Sequence, residues 1–568
     1  MRNLWVIKPK PKDEIVSLLE DEVRLPRALA TVLAQRGIVN FDLAKEFFRP
    51  DLSKLYDPFL MADMQLAVDR VLEAIRKEEK ILIYGDYDVD GTTAVAMMYD
   101  FLKSIYPNVT YYIPDRYTEG YGISIQGIDY ANDNDISLII ALDCGIKAVE
   151  KVEYASEKNI DFIICDHHLP GGKLPKAVAV LDPKRPDCQY PFKELTGCGV
   201  GFKLIQALAK ELKIDEENLH QYLDLLVVSI AADIVPIVDE NRIISYYGLK
   251  KLKESPSLGL KTLLGEQSRD NLTISYIVFQ IAPKINASGR LEHASQSVEL
   301  LISKDEEEVK KFANDIDIIN HTRKKTDGNV TEEAIQLIID QKEEDNYSTV
   351  IYDANWHKGV LGIVASRLID TYYRPTLVLT DGNEGEITGS ARSIKDFDIY
   401  EVIDQCSDLL LRYGGHQFAA GLTMKKENLD AFKERFENLV KEKIRPSQRK
   451  PSIEIDTELM FTEIDARFLR ILKQLMPFGP ENPTPLFLTK NLKAGNIRTM
   501  GKENEHLRMA LMDDNGVQFN AIGFGLGETL EDIKYSKSID VIYSIDENHW
   551  NNKIYLQLNI RDLRLNSF

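Results

Sequence analysis

Three aspartates alternate through KILIYGDYDVDG: Asp86, Asp88 and Asp90, preceded by the apolar run Ile81 to Tyr84 and followed by Gly91. Like charges packed this closely cost free energy unless a cation sits among them. Two further apolar runs stop at chemistry of the same kind. ISLIIALDCG ends in Asp143, and IDFIICDHHLP ends in Asp166, His167 and His168. Neutral imidazole is a leading metal ligand. A fourth run, LLVVSIAADIVP, holds one carboxylate, Asp233, which must be paired or metal-bound if it is buried there. Oxygen donors with a little imidazole suit Mn²⁺ or Mg²⁺ better than a thiolate zinc site. Asp86, Asp88, Asp90, Asp143, His167, His168 and Asp233 are too many ligands for one octahedral ion. Two divalent metal ions bridged by a carboxylate are therefore expected, with Asp143 or Asp88 as the bridge. Ions ~3.5–4 Å apart activate a water and neutralise the attacking and leaving oxygens of a phosphodiester. Asp143, His167 and His168 are the catalytic candidates, and one of the two histidines could instead donate to a phosphate oxygen.

A calcium EF-hand is the competing reading of D-x-D-x-D-G, and it fails. Its twelfth position would be Met97 where a Glu is required, and a strand pattern precedes it in place of a helix. The elements that must position these residues follow from the alternation. ILIYG, VTYYIP, ISLIIALDCG, IDFIICDHH and AVAVLDP read as strands, with helical patterns between most of them. Such alternation predicts a mostly parallel sheet with helices on both faces. Parallel strands bring their C-terminal ends, and so the Asp and His residues, to one edge. TGCGVGFKLIQAL is a glycine-rich entry to a helix but lacks the G-K-[ST] of a P-loop.

Composition bounds the rest. At 568 residues and 44% hydrophobic, the chain can bury several cores and should form more than one domain. No apolar run reaches the ~20 residues of a membrane span. The start, MRNLWVIKPKPKDE, has no signal-peptide pattern, and the five cysteines show no CxxC spacing, so a reduced, cytoplasmic setting is expected. A net charge of −20 argues against indiscriminate nucleic-acid binding and leaves room for a local basic site.

Along the chain, residues 1–60 read as a helical lead-in and 61–303 as the catalytic α/β domain. Residues 304–345 form a connecting helix, with Arg323-Lys324-Lys325 read as part of a solvated face. A second α/β unit covers 346–445. Within it Gly389 to Ser393 offers hydroxyls and a guanidinium suited to phosphate, and Gly414-Gly415-His416 lets backbone approach a ligand. The basic, proline-containing VKEKIRPSQRKPS precedes a run of short strands over 446–568, which suggests a small barrel.

GDYDVDG, the Asp143 strand end, the Asp-His-His run and SIAADIVP together resemble the motifs of the DHH phosphoesterase family. DPFLMADM, LDPKRPDCQYPFKELTGCGVGFKL and PKINASGRLEHA extend the resemblance to its RecJ branch over essentially the whole chain. The resemblance implies two α/β domains, DHH and DHHA1, joined by a long helix, plus a C-terminal OB-fold barrel. It implies a single-stranded-DNA-specific 5′-3′ exonuclease of recombination and repair that releases mononucleotides. Asn286, Ser288, Arg290, Ser390, Arg392, Gly415 and His416 would hold substrate and its terminal phosphate. OB-folds stack bases on aromatics over a basic groove, which makes Phe478, Phe487, Arg498, Lys502, Arg508 and Phe524 candidates there. A RecQ-like helicase and a single-stranded-DNA-binding protein are expected as partners, and a monomer as the state. The alternatives are a hydrolase of cyclic dinucleotides or very short oligonucleotides, and a non-catalytic single-strand binder that uses the barrel.

Overall fold

The computed structural model describes residues 3–265, 272–383, 385–550 and 553–566. The chain divides into two compact units: Leu52–Arg449, and Met1–Asp51 with Lys450–Phe568.

In the first unit, five strands form one parallel sheet: β1 (Lys80–Gly85), β2 (Val109–Tyr112), β3 (Ile136–Leu142), β4 (Asp161–Cys165) and β5 (Ala179–Leu181). Their order is β2-β1-β3-β4-β5. These are the five strands expected from the apolar runs. Strand period two sorts their side chains onto two faces. Ile81, Ile83, Leu138, Ile140 and Leu142 join one core with helix α1 (Val89–Ile105) and helix α2 (Gly197–Leu212). Leu82, Tyr84, Ile139, Ala141 and Phe162 join a second core on the other face. The sheet is thus covered on both sides, as a wholly parallel sheet requires.

Helix α3 (Leu223–Ala232) is buried along almost its whole length and stops at Asp233. Ile234 follows with φ +59°, a conformation costly for a β-branched residue, so the helix cannot continue. Helix α4 (Ala282–Leu291) is entered through a π-helical turn, Ile277–Ile281. Helix α5 (Glu306–Asp340) runs for 35 residues, ~50 Å. Its Arg323 is not on a solvated face: it is buried, and donates to Asp327 at 2.6 Å, which also pairs with Arg367 at 2.6 Å.

The second sheet of this unit is mixed. Strands β6 (Thr349–Tyr352) and β7 (Thr376–Asp381) are parallel, and β8 (Glu386–Arg392), β9 (Leu410–His416) and β10 (Ala419–Lys425) are antiparallel, in the order β9-β10-β8-β7-β6.

The other unit is a closed five-stranded barrel. Strand Phe487–Met500 pairs with both His506–Met512 and Ser538–Trp550, and Gln518–Gly523 and Lys553–Asn566 complete the circuit. The expected helical lead-in is not a separate body. Helices Asp13–Glu22, Arg27–Gln35 and Phe41–Phe48 pack their apolar faces into the same core as Phe468, Phe487 and Tyr543. Ahead of them a strand, Leu4–Ile7, pairs in parallel with Ser452–Ile455. No helix among the described residues is long and apolar enough to cross a membrane.

Candidate metal centre and substrate cleft

Every loop that carries a predicted ligand leaves the C-terminal edge of the parallel sheet, save that of Asp233, which ends α3. His167, after β4, lies at the centre. Its Nε2 is 3.2 Å from Asp143 Oδ1 and 3.7 Å from Asp90 Oδ2 and Asp233 Oδ2. Within 4.8 Å of one another stand donor atoms of Asp143, His167 and His168, and of Asp90, His167 and Asp233. Asp143, directly after β3, adopts the left-handed region with φ +58°.

Asp90 is held by the protein itself. Its oxygens accept from Gly197 N at 2.7 Å, Cys198 N at 2.9 Å and the Ser229 hydroxyl at 2.7 Å. The first two donors are amides of the α2 N-terminus, where a negative charge is favoured. Asp88 caps α1 by accepting from Gly91 N at 3.0 Å. Asp86 is fully buried and accepts from Gly122 N at 3.4 Å.

Several buried atoms here have no hydrogen-bond partner: Asp86 Oδ2, Asp143 Oδ1, and both ring nitrogens of His167. Leaving such groups unsatisfied is expensive. Burial first, then the charge of Asp88, pushes the Asp86 carboxyl well above the ordinary range. Burial first, then Asp90 and Asp88, does the same to Asp143. Burial lowers the basicity of His167, which suits a neutral ligand. Unsatisfied oxygens and nitrogens facing one another among crowded carboxylates fit a hard divalent cation. Asp233 differs from expectation: it is not enclosed within its helix but caps the end, with its side chain 31% exposed.

His168 is placed differently from His167. Its Nδ1 lies 2.7 Å from Asp166 Oδ1, and its Nε2 faces the Tyr121 hydroxyl at 3.1 Å. Asp166 also accepts from the amides of Ile146, His167 and His168. Burial opposes the charge of Asp166, but these donors prevail and hold its carboxyl down to about 2. Burial likewise opposes the His168 imidazolium, and Asp166 outweighs it, raising His168 to about 9.

Beside the metal loop runs α4. A Cβ on Gly289 would stand 2.7 Å from the Tyr87 carbonyl, so only glycine admits this approach. Arg290 reaches across to the second sheet's layer and donates to the Gly359 carbonyl at 3.2 Å. Burial first, then Arg116, Arg323 and Arg392, lowers the Arg290 guanidinium to about 10. Arg392 donates to the Ser390 hydroxyl at 2.9 Å, and a Cβ on Gly362 would meet its guanidinium at 2.5 Å. His416, at the end of β9 after Gly415 (φ +149°), accepts from Phe418 N at 3.2 Å, and burial, then Arg392, lowers its basicity. Asn286 is half-buried on the same side of α4 as Arg290. Ser288 is not brought to this cleft: it is fully buried and bonds the Ile285 carbonyl and Ser297.

Sequence reasoning misses several participants. Asp166 orients His168, and in the sequence it reads only as part of the Asp-His-His run. Gly197 and Cys198 lie on a glycine-rich turn that carries no phosphate signature. Arg116 and Tyr121 lie on DRYTEGYG, which follows β2 and therefore leaves the same sheet edge. That position is the available signal. The Arg116 guanidinium sits 5.0 Å over the Tyr87 ring.

On the barrel, Arg498 and Arg508 are cross-strand neighbours, and Lys502 lies in the turn between their strands. Phe524 is 61% exposed and meets His506 edge-on at 5.1 Å. Phe487 is a core residue, and Phe478 packs against that core. Both are therefore poorly placed to stack a base.

Three family models match: DHH family, N-terminal domain, over residues 80–230; DHHA1 domain over 345–442; and RecJ OB domain over 455–562. The single-stranded-DNA-specific exonuclease RecJ of Bacillus subtilis (strain 168) is 38% identical over 98% of this chain and 70% of its own length. That of Escherichia coli (strain K12) is 31% identical over 99% of this chain and 100% of its own. The crystal structure of RecJ from Thermus thermophilus in complex with Mn²⁺ superposes with a TM-score of 0.84 at 26% identity, covering 100% of this chain and 80% of that one. The corresponding Mg²⁺ complex gives 0.78 at 25% identity, covering 100% and 79%. With the donor cluster at the sheet edge, the cleft beside it and these matches over nearly the full length, the chain belongs to the RecJ family of single-stranded-DNA-specific exonucleases.

Proposed function

We propose that this chain degrades single-stranded DNA from the 5′ end, releasing 5′-mononucleotides, in DNA recombination and repair. The 5′ polarity is taken from the family resemblance, and one observation supports a pocket for a terminal phosphate. After burial, the charge of Arg116 lowers the basicity of both Arg290 and Arg392, and Gly289 of the Arg290 helix abuts the metal loop at Tyr87. A terminal phosphate held there places the next phosphodiester at the metal centre.

Asp86, Asp88, Asp90, Asp143, His167 and Asp233 would hold two divalent ions, Mn²⁺ or Mg²⁺. When bound, such ions supply an activated water and neutralise the oxygens of the scissile phosphate. His168, charged through Asp166, presents Nε2–H to a phosphate oxygen once Tyr121 gives way. Arg290 and Arg392 grip the terminal phosphate, with Ser390 and His416 beside it. A guanidinium suits this role because it binds phosphate in a fixed fork. The passage between the two layers excludes duplex, and the barrel's Arg498, Arg508 and Phe524 capture the strand. A RecQ-like helicase and a single-stranded-DNA-binding protein would deliver that strand; absence of association between the purified proteins would remove them.

The test is a time course on long single strands labelled at either end, with Mn²⁺ or with chelator, beside duplex of the same sequence. Mn²⁺-dependent mononucleotides from the 5′ label, with duplex spared, are expected. First release from the 3′ label overturns the polarity. Hydrolysis of dinucleotides alone transfers the site to the small-nucleotide class.

A further inference from the structure

Phe279 is 69% exposed, on a turn that packs on the core of its domain through Ile277 and Ile281. It lies in the π-helical turn Ile277–Ile281 that leads into α4. Such turns are rare and occur often at functional sites. Here the wide turn keeps Ile277 and Ile281 in the core while Phe279 projects outward.

The rest of the helix shows which way it projects. Positions spaced as 279, 283, 286 and 290 fall on one helical face. Phe279 and Gln280 are exposed and Pro283, Lys284, Asn286 and Arg290 are half-buried, whereas Ile281, Ala282, Ile285, Ala287, Ser288 and Gly289 are buried. The accessible side of the helix therefore runs from Phe279 and Gln280 to Arg290. At the Arg290 end the helix touches the metal loop and donates to Gly359. At the other end the π-turn packs on α3, whose C-terminus bears Asp233. Phe279 stands about three turns from Arg290, ~16 Å along the helix.

We propose that Phe279 is a nucleobase-stacking residue that holds the single strand a few nucleotides inward from the phosphate bound at Arg290. The inference rests on the functional reading above. The occupant is chosen by continuity: the same face carries the guanidinium that meets the terminal phosphate, and Arg116 and Arg392 near that guanidinium add positive charge for a polyanion. An exposed ring on the helix that carries this guanidinium suits a strand of unpaired bases, because every base offers a π-face to stack. Duplex, with its bases already stacked on one another, has none to offer. Phe279 is thus a specificity-determining residue for strand length and for unpaired bases.

The test uses the full chain. The ratio of kcat/KM on a long 5′-phosphorylated strand to that on a dinucleotide is measured for the native protein and for Phe279→Ala, Phe279→Leu and Phe279→Trp. Stacking predicts that the ratio falls about tenfold in the Ala and Leu variants and is kept by Trp. In parallel, 2-aminopurine is moved stepwise along a strand bound to Asp143→Ala protein with Mn²⁺. Quenching at one or two adjacent internal positions, lost on adding Phe279→Ala, is expected. An unchanged ratio, equal behaviour of Leu and Trp, or quenching insensitive to Phe279 overturns the proposal while the exonuclease reading stands. If the native protein releases no 5′-nucleotides, both fall together.

Discussion

A Cβ on Gly197 would stand 2.4 Å from the Cβ of Asp143 and 2.7 Å from its Oδ1. The first residue of α2 and the residue that follows β3 thus meet where any larger side chain would clash. Gly197 also sends its amide to Asp90, so one glycine aligns two candidate ligands. Gly197→Ala should displace Asp143 and lower Mn²⁺-dependent cleavage about 100-fold or more, in keeping with the sensitivity of catalysis to small displacements. The far-ultraviolet spectrum should stay native. Activity within a fewfold of the parent would contradict the assignment of Asp143.

Asp166 accepts from three backbone amides and faces His168 Nδ1 at 2.7 Å. Asp166→Ala should cost about 10–100-fold in turnover, the usual effect of removing an orienting partner. Metal affinity measured by calorimetry should change less than for Asp143→Ala. Equal loss of metal binding in both variants would make Asp166 a ligand.

Chelation should expose the repulsion among the carboxylates. In the metal-free protein the Asp86 and Asp143 carboxyls stay protonated to higher pH than in the unfolded chain. The folded state then binds more protons above the ordinary carboxylate pKa of ~4. Stability of the chelated protein should therefore fall as pH rises through that window. Mn²⁺ should restore it, by about 2.7 kcal/mol at a hundredfold excess over Kd. Asp143→Asn should flatten the pH slope and blunt the response to Mn²⁺. A melting midpoint indifferent to Mn²⁺ would count against the centre.

Arg392→Lys keeps the charge but loses the fork. It should raise KM for 5′-phosphorylated strands about tenfold. The change should be much smaller for 5′-hydroxyl strands. Equal effects on both ends would move the terminal phosphate elsewhere.

Further along α2, Lys203 forms a fully buried pair with Glu240 at 2.7 Å. Glu240 also accepts from Tyr190 and from the amide of Tyr56. Glu240→Ala leaves an ammonium in the core and should destabilise by about 3–5 kcal/mol in urea unfolding. Lys203→Met combined with Glu240→Leu should recover much of that loss.

The primary sequence was enough to group Asp86, Asp88, Asp90, Asp143, His167 and His168. Each follows a short apolar run, and parallel pairing of those runs brings their ends to one edge. A small barrel was likewise legible from strands separated by polar turns, but three of those strands run 13 or 14 residues, longer than expected. Long-range packing decided the rest. Asp90 is satisfied by amides of a helix more than a hundred residues away, which no local pattern encodes. Ser288 faces inward and Asn286 outward because α4 turns about its axis to set Gly289 against Tyr87. Phe487 opens one barrel strand and Phe524 directly follows another, yet the first fills the barrel and the second stands in solvent. Asp233 escapes burial because Ile234 adopts a left-handed turn and ends the helix earlier than its apolar pattern suggests. Local sequence determines which residues end the elements; which way each side chain then faces depends on the packing of elements distant in the chain.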